Sequence, residues 1–201
     1  HLPPRYPTRA ATRAAAPASG LVEPPLAERL RRHLPRARHE ARAGAHVAAI
    51  DRSEEAFGAI REELGKFGHP HSIEHVDLAE DGAAAEVVAR IEGELGPVAG
   101  LVNVVGGFEN MDQLGSLLDQ GAETTFGRLL DFNLGPTLAM SIAAARSMQQ
   151  RGQLGSIVQI TSSTGIVSMP FGAGYAAAKA ALISLTKTMA VEWGPAGIRV
   201  N

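Results

Sequence analysis

Four short apolar runs, each closed by a polar residue and followed by a stretch of helical periodicity, constrain this chain more than any other feature. The runs are residues 46–51, 73–77, 98–105 and 156–161. Ser53 stands where it would cap a helix over 54–66, with Phe57, Ile60 and Leu64 on one face. Residues 79–95 carry the same periodicity through Val87, Val88 and Ile91 and stop at Gly96-Pro97. A longer helix is predicted over 123–149, bent near Gly135-Pro136, and another over 175–193; a further strand opens at Ile198. Short strands alternating with helices at this spacing are βαβ units, and such units build a parallel sheet. The expected fold class is α/β.

An open parallel sheet presents the carboxyl ends of its strands to ligands. Asp51, Asp77, Asn103 and Thr161-Ser162-Ser163 stand at those four ends. Singly, each is an ordinary strand-terminating turn; together they line one edge of the sheet. A carboxylate in the position of Asp51 accepts hydrogen bonds from the ribose hydroxyls of NAD and repels the 2′-phosphate of NADP. Arg52 works against that preference, because a guanidinium can meet a phosphate.

Composition removes several classes of function. The chain has 201 residues, 45% of them apolar, enough for a sizeable core. A net charge of −2 leaves no whole-chain footprint for nucleic acid. With no cysteine there is no disulfide scaffold, thiolate zinc site or cysteine nucleophile, in keeping with a cytoplasmic location. The apolar runs stop well short of the roughly 18 residues of a membrane span. No acid or cysteine cluster joins His69, His71 and His75, so no metal site is expected.

The charge is unevenly spread. Residues 1–43 hold nine arginines against three acids, a net +6, and seven of the 12 prolines, whereas residues 44–201 carry −8. Proline at this density prevents a long helix. The segment has the features of an Arg-rich transit peptide, of a basic arm for nucleic acid, or of a low-complexity stretch with no folded role; the last is the expectation. A reading-frame slip in a GC-rich gene would produce it, and another frame of the same DNA is then expected to encode a strand and a glycine-rich turn. Residues 44–201 form the expected folded domain.

Tyr175 and Lys179 form the most informative spacing. Four residues apart on a helix, they share a face about 6 Å apart, and the ammonium favours the ionised phenol. Such a phenol exchanges a proton with an alcohol or carbonyl at neutral pH. Ser162, thirteen residues earlier at a strand end, supplies a hydroxyl to hold the substrate oxygen.

With these residues the chain resembles the short-chain dehydrogenase/reductase family, from about residue 41 to residue 201. LVNVVGG at 101–107 is similar to the family's fourth-strand motif, with two valines where Asn-Ala is commoner. FNLGP around Asn133 is similar to the helix that carries the active-site asparagine, and Ser162, Tyr175 and Lys179 complete the tetrad. The resemblance implies a Rossmann-like doubly wound parallel sheet. It implies an NAD-preferring alcohol dehydrogenase or ketoreductase acting on a small-molecule alcohol or carbonyl compound. Tyr175 would be the general acid/base and Ser162 the substrate anchor. Lys179 would also bind the nicotinamide ribose, and Asn133 would support a proton-relay water. Asp51 would bind the adenine ribose, Asp77 with Leu78 the adenine, and Asn103 with Gly106 the cofactor around the ribose. A homodimer or homotetramer would form through the helices at 123–149 and 175–193.

Two family features have no counterpart in the sequence. No glycine-rich GxxxGxG turn stands about 20 residues before Asp51, and nothing follows the strand opening at Ile198. The expected sheet is therefore incomplete, lacking its first strand and its C-terminal strands. Without the central strand, the Asp51 and Asp77 strands would form one small sheet and the Asn103 and Ser162 strands another. The chain alone is then expected to bind NAD no tighter than millimolar, about −4 kcal/mol, with no turnover. The alternatives to an enzyme are a non-catalytic remnant and a subunit that lends only its helical face to a partner. Residues 108–120 are a substrate lid or a plain connection, and Phe108, Met169 and Phe171 line an apolar pocket or pack the core.

Overall fold

The computed structural model describes residues 41–54, 57–109 and 111–201. The basic segment lies outside the described residues up to position 40; Ala41, within it, is buried against Ile60 and Leu64. The described residues form five strands and four α-helices in strict alternation: β1 (Val47–Asp51), α1 (Phe57–Gly65), β2 (His71–His75), α2 (Ala83–Leu95), β3 (Gly100–Asn103), α3 (Ala122–Gln150), β4 (Gly155–Gln159), α4 (Ala173–Trp193) and β5 (Ile198–Val200).

Every strand pairing is parallel. β1 pairs with β2 from Val47↔His71 to Asp51↔His75. β4 sits between β3 and β5, with Asn103 opposite Gln159 and Ile157 opposite Val200. These are two separate sheets, β1-β2 and β3-β4-β5, as expected for a doubly wound sheet without its central strand. Among the described residues, no strand covers the second edge of β1 or of β3. What joins the halves is apolar packing: Val87, Val88 and Ile91 of α2 bury against Ala48 and Ile50 of β1, Leu101 of β3 and Met140 of α3.

Helix α3 shows why this half holds together. Its buried residues fall at positions 129, 133, 136/137, 140/141, 144/145 and 148, the stripe of a helix packed along its whole length. The helix continues through Pro136, which is itself buried. Three residues on that stripe, Asn133, Thr137 and Ser141, are polar and at most 1% exposed.

Several predicted boundaries move, each for a local reason. β2 ends at His75, so Asp77 lies in the following loop and not on the strand. There its Oδ1 accepts the amide of Ala79, which holds a turn and delays α2 to Ala83. β3 ends at Asn103 and not Val105, because the Val105 carbonyl is taken by Lys179. Ser53, expected to cap α1, donates its own amide to Asp51 Oδ1 at 2.8 Å; the described part of that helix runs from Phe57, and positions 55 and 56 lie outside the described residues.

Candidate active site

Lys179 organises the carboxyl end of the larger sheet. Leu182 and Ala178, its neighbours on α4, are core residues, and their stripe carries the lysine inward until it is 3% exposed. Its Nζ donates to the carbonyl of Val105 at 3.0 Å and of Ile160 at 3.4 Å. The ammonium thereby clamps together the chain ends leaving β3 and β4. Burial disfavours the charged form and brings its pKa down to about 8.

Tyr175, one turn earlier, places its ring centroid 5.6 Å from that Nζ. The ring is also covered by Phe108, at a centroid distance of 4.9 Å and a tilt of 36°. Phe108 is 9% exposed, so a side chain left open between pocket and packing is packed against the tyrosine. Phe171 is 64% exposed and lines a separate cavity of about 150 Å³ beside Gly174.

Asn133 belongs to the same cluster. Its Oδ1 accepts the Gly107 amide at 2.7 Å, while Nδ2 donates to the Gly107 carbonyl at 3.0 Å and to the Leu129 carbonyl at 2.8 Å. Gly106, with φ +116, runs directly over it: a Cβ there would lie 2.3 Å from Asn133 Oδ1 and 3.0 Å from Lys179 Nζ. Glycine is required at 106 on both counts.

Ser162 caps the 3₁₀ turn Ser163–Gly165. Its Oγ accepts from Thr164 Oγ1 at 2.9 Å and from the Thr164 amide at 3.3 Å. Having accepted twice, the hydroxyl keeps its own proton as a donor. The turn sits close against α4, since a Cβ on Gly165 would be 2.9 Å from the backbone carbon of Lys179. Thr164 is a site residue that sequence reasoning missed; its only sequence signal is a second hydroxyl two positions after Ser162.

Asn103 is placed differently from its expected role at the cofactor. It is 4% exposed, and its Nδ2 donates to Ser141 Oγ at 2.9 Å and Gln159 Oε1 at 3.0 Å. Gln159 Nε2 in turn donates to Ser141 Oγ, which donates to the Thr137 carbonyl, both at 2.7 Å. This buried network ties β3, β4 and α3 together. Its sequence signal is the polar spacing of Asn133, Thr137 and Ser141 inside an apolar helix.

The residues expected at the adenine end lie at the end of β1 and in the loop after β2. Asp51 and Asp77 hold the turns described above, and Leu78 packs into the apolar cluster against α2. Arg52 reaches across to Glu109 and to the ring of Phe132. Within the connection after β3, Gln113 Oε1 accepts the Glu109 amide, and the Gly115 amide donates to the Phe171 carbonyl at 2.9 Å. Among the described residues, no group of three His, Cys, Asp or Glu side chains could hold a metal, and no helix is long and apolar enough to cross a membrane.

Residues 35–201 match the family model described as short chain dehydrogenase. The inactive 2-(S)-hydroxypropyl-CoM dehydrogenase 2 of Xanthobacter autotrophicus is 39% identical over 165 residues, covering 82% of this chain and 68% of that protein. The 3beta-hydroxysteroid dehydrogenase 2 of Eggerthella lenta is 30% identical over 159 residues, covering 79% and 60%. Among solved structures, a short-chain type dehydrogenase/reductase from Mycobacterium marinum superposes with a TM-score of 0.72 at 30% identity, covering 82% of this chain and 66% of that one. An NAD⁺-bound xylitol dehydrogenase gives a TM-score of 0.71 at 26% identity, covering 80% and 60%. The chain thus spans about two thirds or less of the length of these relatives.

Proposed function

This chain belongs to the short-chain dehydrogenase family, and from that premise we propose that it carries the catalytic core of a nicotinamide-dependent oxidoreductase interconverting an alcohol and a ketone or aldehyde. The observation that carries the reading is the buried Lys179 ammonium, held by two strand-end carbonyls against the Tyr175 ring. A buried charge is costly even when hydrogen-bonded, and groups perturbed in this way cluster at functional sites.

The donor set fits the two ribose ends of a nicotinamide dinucleotide. Lys179 has two of its three protons on carbonyls and the third for a ribose hydroxyl. Asp51 has one carboxylate oxygen on the Ser53 amide and the other for the adenine ribose. The NAD⁺-bound state of the xylitol dehydrogenase supports the same class of cofactor. When bound, the nicotinamide supplies hydride transfer to or from the substrate carbon.

The chain's own residues then handle the proton. In the oxidation direction the Tyr175 oxygen takes the hydroxyl proton of the alcohol, and Ser162 donates a hydrogen bond to the same substrate oxygen. The Lys179 charge offsets the negative charge that the phenol carries before it accepts that proton. Asn133 locks the Gly106-Gly107 turn, so the floor under the reacting groups does not shift. In the reduction direction the phenol returns its proton to the carbonyl oxygen. Asp51 makes NAD the preferred dinucleotide by repelling a 2′-phosphate.

The test is a chimera in which residues 44–201 replace the matching core of the Mycobacterium marinum protein, assayed for NAD-dependent oxidation of a panel of secondary alcohols. Activity is expected, and Tyr175→Phe should lower kcat by about 10²–10⁴ while leaving NAD binding in place. A folded, NAD-binding chimera that keeps more than a tenth of its rate without the hydroxyl would overturn the assignment.

A further inference from the structure

We propose that Glu109 sets the choice between the two nicotinamide dinucleotides, by holding the Arg52 guanidinium away from the place of a ribose 2′-phosphate. This rests on the reading above that Asp51 marks the adenine-ribose end. Arg52 follows Asp51 at the end of β1 and is the cation nearest to it in the chain. An arginine there is the side chain that would meet a 2′-phosphate.

Two contacts hold the guanidinium elsewhere, and a third fixes its backbone. Its Nη2 donates to Glu109 Oε1 at 3.1 Å and its guanidinium carbon lies 4.6 Å above the Phe132 ring of α3, while its carbonyl is 3.0 Å from Nε2 of His75, the last residue of β2. Glu109 is itself held in place. Its second oxygen, Oε2, accepts from Gln113 Nε2 at 3.2 Å, and its amide donates to Gln113 Oε1 at 2.7 Å. The carboxylate is thus positioned by one side chain and paired with another. The arginine spans from the smaller sheet to the connection following β3, instead of folding back over Asp51.

The charge balance points the same way. Glu109 takes the guanidinium, while Asp51 accepts the Ser53 amide and Glu54 Oε1 is 3.1 Å from His75 Nδ1. A phosphate arriving beside Asp51 would have to win Arg52 from Glu109 and then share the space with the carboxylate left behind. The pair is partly exposed, 45% and 40%, so its strength is that of a surface ion pair. That suits a selectivity element, which needs to be worth only a modest factor.

The experiment uses the 201-residue chain and two fragments, adenosine 5′-monophosphate and adenosine 2′,5′-bisphosphate, titrated by NMR chemical shift at millimolar concentrations. Wild type should bind the monophosphate more tightly. Glu109→Gln keeps a hydrogen-bonding side chain beside Gln113 but removes the charge. It should tighten the bisphosphate about fivefold, equivalent to about 1 kcal/mol, with the monophosphate changed by less than about twofold. Adding Arg52→Ala should cancel the gain. If Glu109→Gln does not fold, Phe132→Leu loosens the same arginine and should move the ratio in the same direction. If both fragments bind but neither variant changes their ratio, the role of Glu109 is overturned and the dinucleotide reading stands. If neither fragment shifts any resonance, the reading of the Asp51 end fails and takes the proposal with it.

Discussion

The buried amides and lysine of the three-stranded half and the two aspartates of the two-stranded half are satisfied in opposite ways. In the larger one, Asn103, Gln159, Asn133 and Lys179 reach partners 26 to 74 residues away, and each is at most 6% exposed. In the smaller one, Asp51 and Asp77 each accept an amide two residues ahead, at partly exposed turns. The difference separates two kinds of functional group. Lys179 and Asn133, beside the tyrosine proposed to handle a proton, are positioned by bonds that exist only in the folded domain, and buried bonds of this kind are costly to break. Those proposed to hold the far end of a cofactor sit on local turns that need little from the rest of the fold.

The sharpest break in this contrast comes from pH. Lys179 has a folded-state pKa of about 8 against an ordinary 10.5, lowered by burial. Below pH 8 the native state bears the whole cost of the buried charge. Between about pH 8 and 10.5 the native state has released a proton that the unfolded chain still holds, so stability rises with pH across that window. The gain is about 3 kcal/mol. Denaturant titrations at the two ends of the window should show it in wild type, and Lys179→Met should flatten the difference. Equal pH slopes for the two proteins would mean that the lysine is not buried as described.

Next in size is Ser141→Ala, which removes the hydroxyl shared by Asn103 and Gln159. Leaving those two buried amides short of a partner should cost about 2–3 kcal/mol. A value below about 0.5 kcal/mol in equilibrium unfolding would show that the network does not hold the larger sheet. Gly106→Ala should cost about 1–2 kcal/mol, through its positive φ and the approach to Asn133. It should also displace the Lys179 and Asn133 side-chain resonances, which a purely local strain would leave alone. The smallest effect belongs to the other sheet: Asp77→Ala should lose under about 1 kcal/mol. A larger loss would erase the distinction between the two regions.

Much of this architecture was legible in the residues themselves, because strand–helix alternation and the burial stripes of helices are short-range patterns. The split into two sheets was legible too, since no run before Val47 has the apolar character of a central parallel strand. Tyr175 and Lys179 could be paired from their spacing, as four residues always share a helix face. The partners of Lys179 could not: the Val105 and Ile160 carbonyls are backbone groups, and no side chain marks them. The side-chain partners of Asn103 were hidden for a related reason. An asparagine at a strand end looks alike whether its amide turns to a ligand or to the interior, and the choice lies with Gln159 and Ser141, far away in the chain. Asp77 was displaced from the strand by its own affinity for the Ala79 amide, a local competition that periodicity does not weigh.

The sequence by itself determined the class of fold, the order of its elements and the family, because these follow from local periodicity and residue type. Only the tertiary structure decided which polar groups face inward, how far Lys179 is desolvated, and that Arg52 crosses to Glu109. Those outcomes depend on which distant groups come within hydrogen-bonding reach once the elements pack. A bond of that kind leaves no trace in the spacing of either residue alone.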